Sequence, residues 1–172
     1  MIGGEAERYL AKVCSALNSH DVDYIVVGGA AVSHYGYNRP SGIGNYKENL
    51  KVDLDFWYKP SIENYLKILD ALDDLEVDTS ELRNLVFDKD RTFLKIPHRD
   101  FHTDFLPTME GLNSFKASKG KTEAIDIGGV ILPVIAYDDL ILNKQAVDRK
   151  IDQSDINELD KIRKGKRHKR GI

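Results

Sequence analysis

The segment KVDLDFWY, residues 51–58, constrains the fold of this chain more than any other stretch. Its apolar side chains alternate with Asp53 and Asp55, and this period of two is typical of a β-strand with one buried face. Both carboxylates therefore point to the same side, about 7 Å apart along the strand. At the effective dielectric constant of a protein surface, two such charges repel each other by roughly 2 kcal/mol. A solvated edge tolerates this repulsion, whereas a cleft calls for a cation.

A later segment, FHTDFL at residues 101–106, shows the same alternation. It predicts a second strand with His102 and Asp104 on one face. This strand offers one acid where the first offers two, with Asp100 and Glu110 as alternatives for that third acid. His102 is either a helper in proton transfer or a solvated surface residue.

A short apolar run, Tyr24–Val27, ends in Gly28 and Gly29. This pattern predicts a buried strand that turns directly into a helix, here over residues 30–35. Residues 38–49 have no period and are rich in turn-forming residues, so they predict a mobile loop that leads into the strand of 51–58. Trp57 follows the two acids on the same face of that strand and is a candidate for stacking on a base.

The other periodic segments complete the fold. They predict helices over residues 5–17, from Ser61 through Leu72 and from Tyr137 through Ile151, followed by a last short helix from Asp152. They also predict a strand over residues 93–96 and a Gly-Gly hairpin over residues 125–132. Lys144 lies within the apolar stripe of the helix predicted from Tyr137 through Ile151. There it either extends to solvent, pairs with an acid such as Asp148, or binds phosphate.

These elements predict an α/β (α+β) fold with a small mixed sheet, flanking helices and a short helical C-terminal section. We expect three parts along the chain. They are a core over residues 1–136, C-terminal helices packed on it over 137–163, and a disordered basic tail over 164–172.

The composition narrows the class of protein. Among 172 residues, 41% are hydrophobic and 31% are charged, which is typical of a soluble globular protein. No apolar run is as long as a membrane span, and the first residues lack the order of a signal peptide, so we expect a cytoplasmic protein without membrane contact. The single cysteine, Cys14, falls on a predicted apolar stripe and is expected in the core. Disulfide scaffolds and cysteine-ligated zinc are excluded.

The charge is strongly segregated along the chain. Residues 161–172 hold seven of the 25 lysines and arginines and no acid, so residues 1–160 carry 18 basic against 28 acidic side chains, a net charge of −10. The segment from Lys161 to Arg170 would attract nucleic acid through counterion release. The alternatives are a disordered solubilising tail and a contact with an acidic partner.

Two groups of residues together resemble a known set of motifs. The leading group is Val26-Val27-Gly28-Gly29-Ala30-Ala31-Val32, His34-Tyr35-Gly36, Arg39 and Asp53-Leu54-Asp55-Phe56-Trp57; the closing group is Asn143-Lys144, Ala146, Arg149-Lys150, Asp152 and Asp155. They resemble the motifs of the nucleotidyltransferase superfamily, which includes DNA polymerase beta. The closest likeness is to the minimal nucleotidyltransferases of bacterial toxin–antitoxin and phage-defence systems. The chain departs from the usual pattern at Gly29, where many members have serine, and at Lys51, where threonine is frequent.

The resemblance implies a nucleotidyltransferase fold and a metal-dependent reaction. Asp53 and Asp55 would hold Mg²⁺ or Mn²⁺ against the triphosphate of an NTP, with ATP as the expected substrate, and Asp104 would complete a second metal position. Gly28 and Gly29 would let the backbone approach the phosphates. Arg39 and Lys144 would bind the remaining phosphate charge.

The resemblance also implies the function. It is transfer of a nucleoside monophosphate to a hydroxyl of a protein or of an RNA 3′ end, within a toxin–antitoxin or defence system. The alternative is an antitoxin-like protein with the same fold that acts by covering a toxin partner. A third class, a nucleic-acid-binding module, depends on the basic tail alone.

Overall fold

The computed structural model describes residues 4–38 and 51–171. Its helices are α1 (Gly4–Ser19), α2 (Gly28–His34), α3 (Ile62–Asp74), α4 (Ser80–Arg83), α5 (Phe115–Lys119), α6 (Tyr137–Val147) and α7 (Lys150–Arg170). Its strands are β1 (Tyr24–Val27), β2 (Val52–Tyr58), β3 (Leu94–Pro97), β4 (Phe101–Leu106), β5 (Glu123–Ile127) and β6 (Val130–Val134). Arg39 and residues 40–49 of the predicted loop lie outside the described residues.

The strands form one six-stranded mixed sheet in the order β3-β4-β2-β1-β6-β5. The pairs β2–β4 and β1–β6 are parallel, whereas β1–β2, β3–β4 and β5–β6 are antiparallel. This arrangement confirms the predicted α/β fold with a small mixed sheet. It also places β2, which carries two acids, directly beside β4, which carries the third.

The core joins the sheet to the helices through a single cluster of buried apolar side chains. All four residues of β1 are buried, as a short uninterrupted apolar run predicts. Helix α3 begins as predicted, because Ser61 Oγ accepts a hydrogen bond from the Asn64 N–H at 3.2 Å. Cys14 is fully buried, and burial raises the pKa of its thiol to about 12. The thiol is therefore inert, as expected of a core residue.

The C-terminal helices differ from the prediction. The predicted helix of residues 137–151 ends at Val147, because Asp148 adopts a left-handed conformation with φ of 55°. Helix α7 then runs through Arg170, although the sequence predicts a disordered tail from residue 164. Lysine and arginine are good helix formers, and their charges are favourable near a helix C-terminus. The ion pair between Lys164 and Asp160, one turn apart at 2.7 Å, adds to this.

No helix within residues 4–38 and 51–171 combines the length and the apolar character needed to cross a membrane.

Candidate active site

The register between β2 and β4 brings the three acids together. The strands are parallel, with Asp53 opposite His102 and Asp55 opposite Asp104. Side chains at paired positions of neighbouring strands share one face of the sheet, so all four point away from the face that carries Leu54. Leu54 is 1% exposed, whereas Asp53 is exposed and Asp55 and Asp104 are half-buried. The structure therefore gathers Asp53, Asp55 and Asp104 on one open face.

Gly28 lies against the second of these acids. Val27 pairs with Asp55 across β1 and β2, and the next residue, Gly28, has a φ of +64°. A Cβ atom at this position would lie 2.9 Å from both Cβ and Cγ of Asp55 and closer still to Oδ2. Both the backbone conformation and the close approach therefore require glycine. Helix α2 begins at this residue, two positions earlier than the sequence predicts.

The environment of Asp104 raises its pKa, which makes its carboxylate a stronger base than that of an exposed aspartate. Burial and the charge of Asp53 raise the pKa of Asp104 above its ordinary value, while Lys95, a side-chain hydrogen bond with Asp55, and His102 act in the opposite direction. Two carboxyl groups in hydrogen-bonding contact need a proton or a cation between them. A divalent cation is a suitable partner for the oxygens of such a pair.

A cavity of about 340 Å³ opens beside the acids, on the side of β3. Lys95 of β3 stands opposite Asp104, and Pro97 stands opposite His102. The cavity lining consists of these four residues and Asp53. The acids thus have the backbone of Gly28 on one side and a cavity that Lys95 helps to line on the other.

The carboxylates of Asp53, Asp55 and Asp104 are suitable ligands for Mg²⁺ or Mn²⁺. In residues 4–38 and 51–171, no three His, Cys, Asp or Glu side chains converge into a ready-made metal site. Carboxylate oxygens are nevertheless the ligands that hard cations prefer. Mg²⁺ is usually held by one or two carboxylates together with substrate phosphates and water, without a cage made only of protein. The acids therefore fit a cation that arrives with a phosphorylated substrate.

Lys144 lies in a buried network of ion pairs. It is 4% exposed, and its Nζ lies 2.8 Å from Asp155 Oδ2 and 3.2 Å from Asp152 Oδ1. The sequence leaves three alternatives open for Lys144, and the structure shows the second of them, an ion pair with a structural acid. The partners are Asp152 and Asp155 of α7, however, and not Asp148. A contact between Lys144 and phosphate stays a prediction.

Arg149 is a positive residue that interacts electrostatically with Asp55. It is not among the site residues that the sequence predicts. It is the N-cap of α7, and its Nε donates to Asp152 Oδ2 at 2.7 Å. Its side chain remains 66% exposed. The hydrogen bond to Asp152 is the main cause that raises the pKa of Arg149, and the negative charge of Asp55 contributes as well. The position of Arg149 as an N-cap depends on the end of α6 at Asp148, which the periodicity does not reveal.

Trp57 is not available for stacking on a base. It shares the face of Asp53 and Asp55 but is 3% exposed, because α5 covers it. Its indole packs edge-on against Phe115 of α5, with ring centroids 5.5 Å apart. Its Nε1 donates a hydrogen bond to the Pro107 carbonyl at 3.3 Å. The stacking prediction is therefore wrong, since the sequence shows no pattern for the five-residue helix α5.

Comparison with known proteins supports the fold. No protein-family model matches the chain, and no curated protein matches it. A solved structure from Thermotoga maritima, of a protein proposed to be a nucleotidyltransferase, matches 98% of this chain and 96% of its own, with a TM-score of 0.54 and 15% sequence identity. The chain has a nucleotidyltransferase fold. At this level of identity the likeness concerns the fold alone.

Proposed function

We propose that this protein is a nucleotidyltransferase that moves a nucleoside monophosphate from an NTP, with ATP as the expected donor, to a hydroxyl group. The observation that carries the proposal is the alignment of Asp53, Asp55 and Asp104 on one face through the β2–β4 register. Phosphoryl-group transfer needs positioning and neutralisation of charge more than covalent help. Three carboxylates beside an open cavity could hold the divalent cations that supply both.

The residues divide the work between the two substrates. Asp53 and Asp55 would hold a divalent cation together with the triphosphate, and Asp104 would share a second cation. Bound Mg²⁺ or Mn²⁺ would neutralise phosphate charge and promote ionisation of the acceptor hydroxyl. Asp104, whose pKa burial raises, is suited to accept the proton of that hydroxyl. The hydroxyl oxygen bonds to the α-phosphorus, the bond between this phosphorus and the β-phosphate oxygen breaks, and pyrophosphate leaves.

The other candidate residues act on the donor side. Gly28 keeps the backbone of β1 and α2 clear of the Asp55 carboxylate, which a side chain would displace. Arg149, exposed and within the field of Asp55, supplies positive charge for the triphosphate. Gly29, Arg39 and Lys144 remain proposed contacts of the nucleotide. The proposed acceptors are a protein hydroxyl or an RNA 3′ end, within a toxin–antitoxin or phage-defence system.

Calorimetry with a non-hydrolysable ATP analogue tests the proposal. We expect binding that requires Mg²⁺ in the native chain and is lost in the double variant Asp53→Asn with Asp55→Asn. The matched control is Glu63→Gln with Glu81→Gln, which removes two exposed charges from α3 and α4 and should bind normally. Absence of Mg²⁺-dependent binding of any NTP to the native chain would contradict the proposal and favour the antitoxin-like alternative.

A further inference from the structure

The end of α7 projects from the body of the molecule. The first half of this helix is anchored by the buried residues Asp152, Asp155 and Leu159. All residues from position 164 through position 170 are exposed. A Cβ atom added at Gly165 would meet no other element of the described chain within 4 Å. Residues 164–170 therefore form a helix that is surrounded by solvent.

The basic end of α7, defined as residues 161–170, concentrates positive charge. It contains seven lysines and arginines and no acid, whereas residues 1–160 carry a net charge of −10. Three of the seven pair with nearby acids. Within residues 4–38 and 51–171, no ion pair includes the other four, which are Lys166, Arg167, Lys169 and Arg170.

These four charges repel one another along the helix. Lys166 is three residues from Lys169 and four from Arg170, and side chains at such spacings are neighbours on a helix surface. Like charges at these spacings destabilise a helix. An anionic ligand would relieve the repulsion, so the basic end of α7 favours a negatively charged partner.

The distribution of the charges narrows the class of partner. At about 100° per residue, no sector of the helix wider than about 80° lacks a lysine or arginine between residues 161 and 170. After Ile162, α7 contains no apolar side chain. A helix that docks in a protein groove or lies in a membrane surface uses an apolar face. The basic end of α7 instead fits a partner with negative charge on two opposite sides.

The major groove of B-form DNA has this property. The groove is about 12 Å wide and admits an α-helix between its two phosphate backbones. The major groove of A-form RNA is deep and narrow. The seven exposed residues 164–170 extend about 10 Å, roughly one Debye length at physiological salt. This length keeps the phosphates away from the acidic body of the protein.

We infer that the basic end of α7 binds double-stranded DNA by entering its major groove, with Lys166, Arg167, Lys169 and Arg170 in contact with phosphates. Contacts to phosphates carry no sequence information, so this binding is independent of base sequence. The inference concerns a segment other than the carboxylates of β2 and β4, and it does not depend on the proposed function.

Fluorescence anisotropy with a labelled DNA duplex of roughly 20 base pairs, about two helical turns, tests the inference. The quadruple variant Lys166→Gln, Arg167→Gln, Lys169→Gln and Arg170→Gln keeps good helix formers but removes four charges. Its slope of log K against log salt should be smaller than the native slope by about 3.6. The matched control Lys67→Gln, Lys89→Gln, Arg91→Gln and Lys116→Gln removes the same charge from other exposed positions and should bind like native protein.

Two substitutions at Gly165 test the helix separately from its charge. Gly165→Ala favours the helix and Gly165→Pro breaks it, while both keep every lysine and arginine. We expect the alanine variant to bind DNA at least as tightly as native protein. The proline variant should bind roughly tenfold more weakly, because its unfolded segment loses more conformational entropy on binding. Urea unfolding verifies that the body of both variants stays folded.

Native protein should also bind the DNA duplex more tightly than an RNA duplex of the same sequence. The inference is overturned if the quadruple variant binds DNA like native protein, if the RNA duplex binds equally well, or if the two Gly165 variants bind alike. Binding to phosphatidylserine vesicles or to an acidic protein in place of DNA would also overturn it. Calorimetry with the ATP analogue should be unchanged in the quadruple variant, so failure of this inference is distinct from failure of the proposed function.

Discussion

Gly28 and Asp55 are in such close contact that the residue at position 28 decides whether the carboxylate at position 55 can keep its place. A Cβ atom at Gly28 would lie 2.9 Å from the Asp55 Cβ atom, a distance that real Cβ atoms essentially never show. Gly28, the first residue after β1, is therefore part of the acid site, even though it contributes no side chain.

Replacement of Gly28 by alanine should weaken nucleotide binding and stability together. The left-handed backbone at position 28 costs a non-glycine residue about 1–2 kcal/mol, and overpacking against Asp55 should add about 1–3 kcal/mol. Gly128→Ala is the matched control, because Gly128 has a similar φ of +59° but would place its Cβ atom in open space. Urea unfolding and calorimetry would measure both effects. Equal destabilisation of the two variants would contradict the predicted collision.

Magnesium and nucleotide should stabilise the protein only in combination. Since the described residues hold no ready-made site with three ligands, Mg²⁺ alone should shift the melting temperature little. With an ATP analogue at a hundredfold excess over its Kd, the stabilisation is about 2.7 kcal/mol, or roughly 5–10 °C for a chain of this length. Thermal unfolding with and without EDTA measures this. An equally large shift with Mg²⁺ alone would indicate a site made only of protein ligands.

Lys144→Met should be strongly destabilising. Removal of the ammonium leaves Asp152 and Asp155 buried without this cation, and breaking a buried ion pair costs about 3–5 kcal/mol. Lys164→Met removes an exposed ion pair within α7, between Lys164 and Asp160, and should lower the free energy of unfolding by about 0.5 kcal/mol or less. Urea unfolding at neutral pH compares the two variants. If both variants lost a similarly small amount of unfolding free energy, the buried ion pair would contribute little to stability.

Asp152 should make stability depend on pH in the acid range. Burial alone would raise its pKa, but hydrogen bonds from Arg149 and Lys144 outweigh burial and hold the pKa below the ordinary value of 3.8. The ionised carboxylate therefore stabilises the fold above that value, and this contribution is lost as pH falls below about 4 through the lower pKa of the folded state. The difference in unfolding free energy between native protein and Asp152→Asn should shrink over that range. A difference that does not change with pH would contradict the assignment.

The facing acids could be predicted from sequence because each strand needs only a period of two. The alternation assigns Asp53 and Asp55 to one face of their strand and Asp104 to one face of its own, whereas the pairing of β2 with β4 does not follow from it. The neighbours of Lys144 could not be predicted, because they come from α7 after a left-handed turn at Asp148, a conformation that aspartate adopts only in certain contexts. The stacking prediction for Trp57 fails for a similar reason, since the helix that covers it is too short to show a period.

The pairing that sets Asp55 beside Asp104 also sets Phe56 beside Phe105. These two rings are fully buried on the opposite face and stack with centroids 5.2 Å apart. A slip of one residue between β2 and β4 would turn one strand's acids inward and its ring outward, so the core excludes that misalignment of the carboxylates. Selection for chemistry and selection for folding therefore act on the same pairing. A search for inactive variants should recover Phe56 and Phe105 although neither ring faces a substrate.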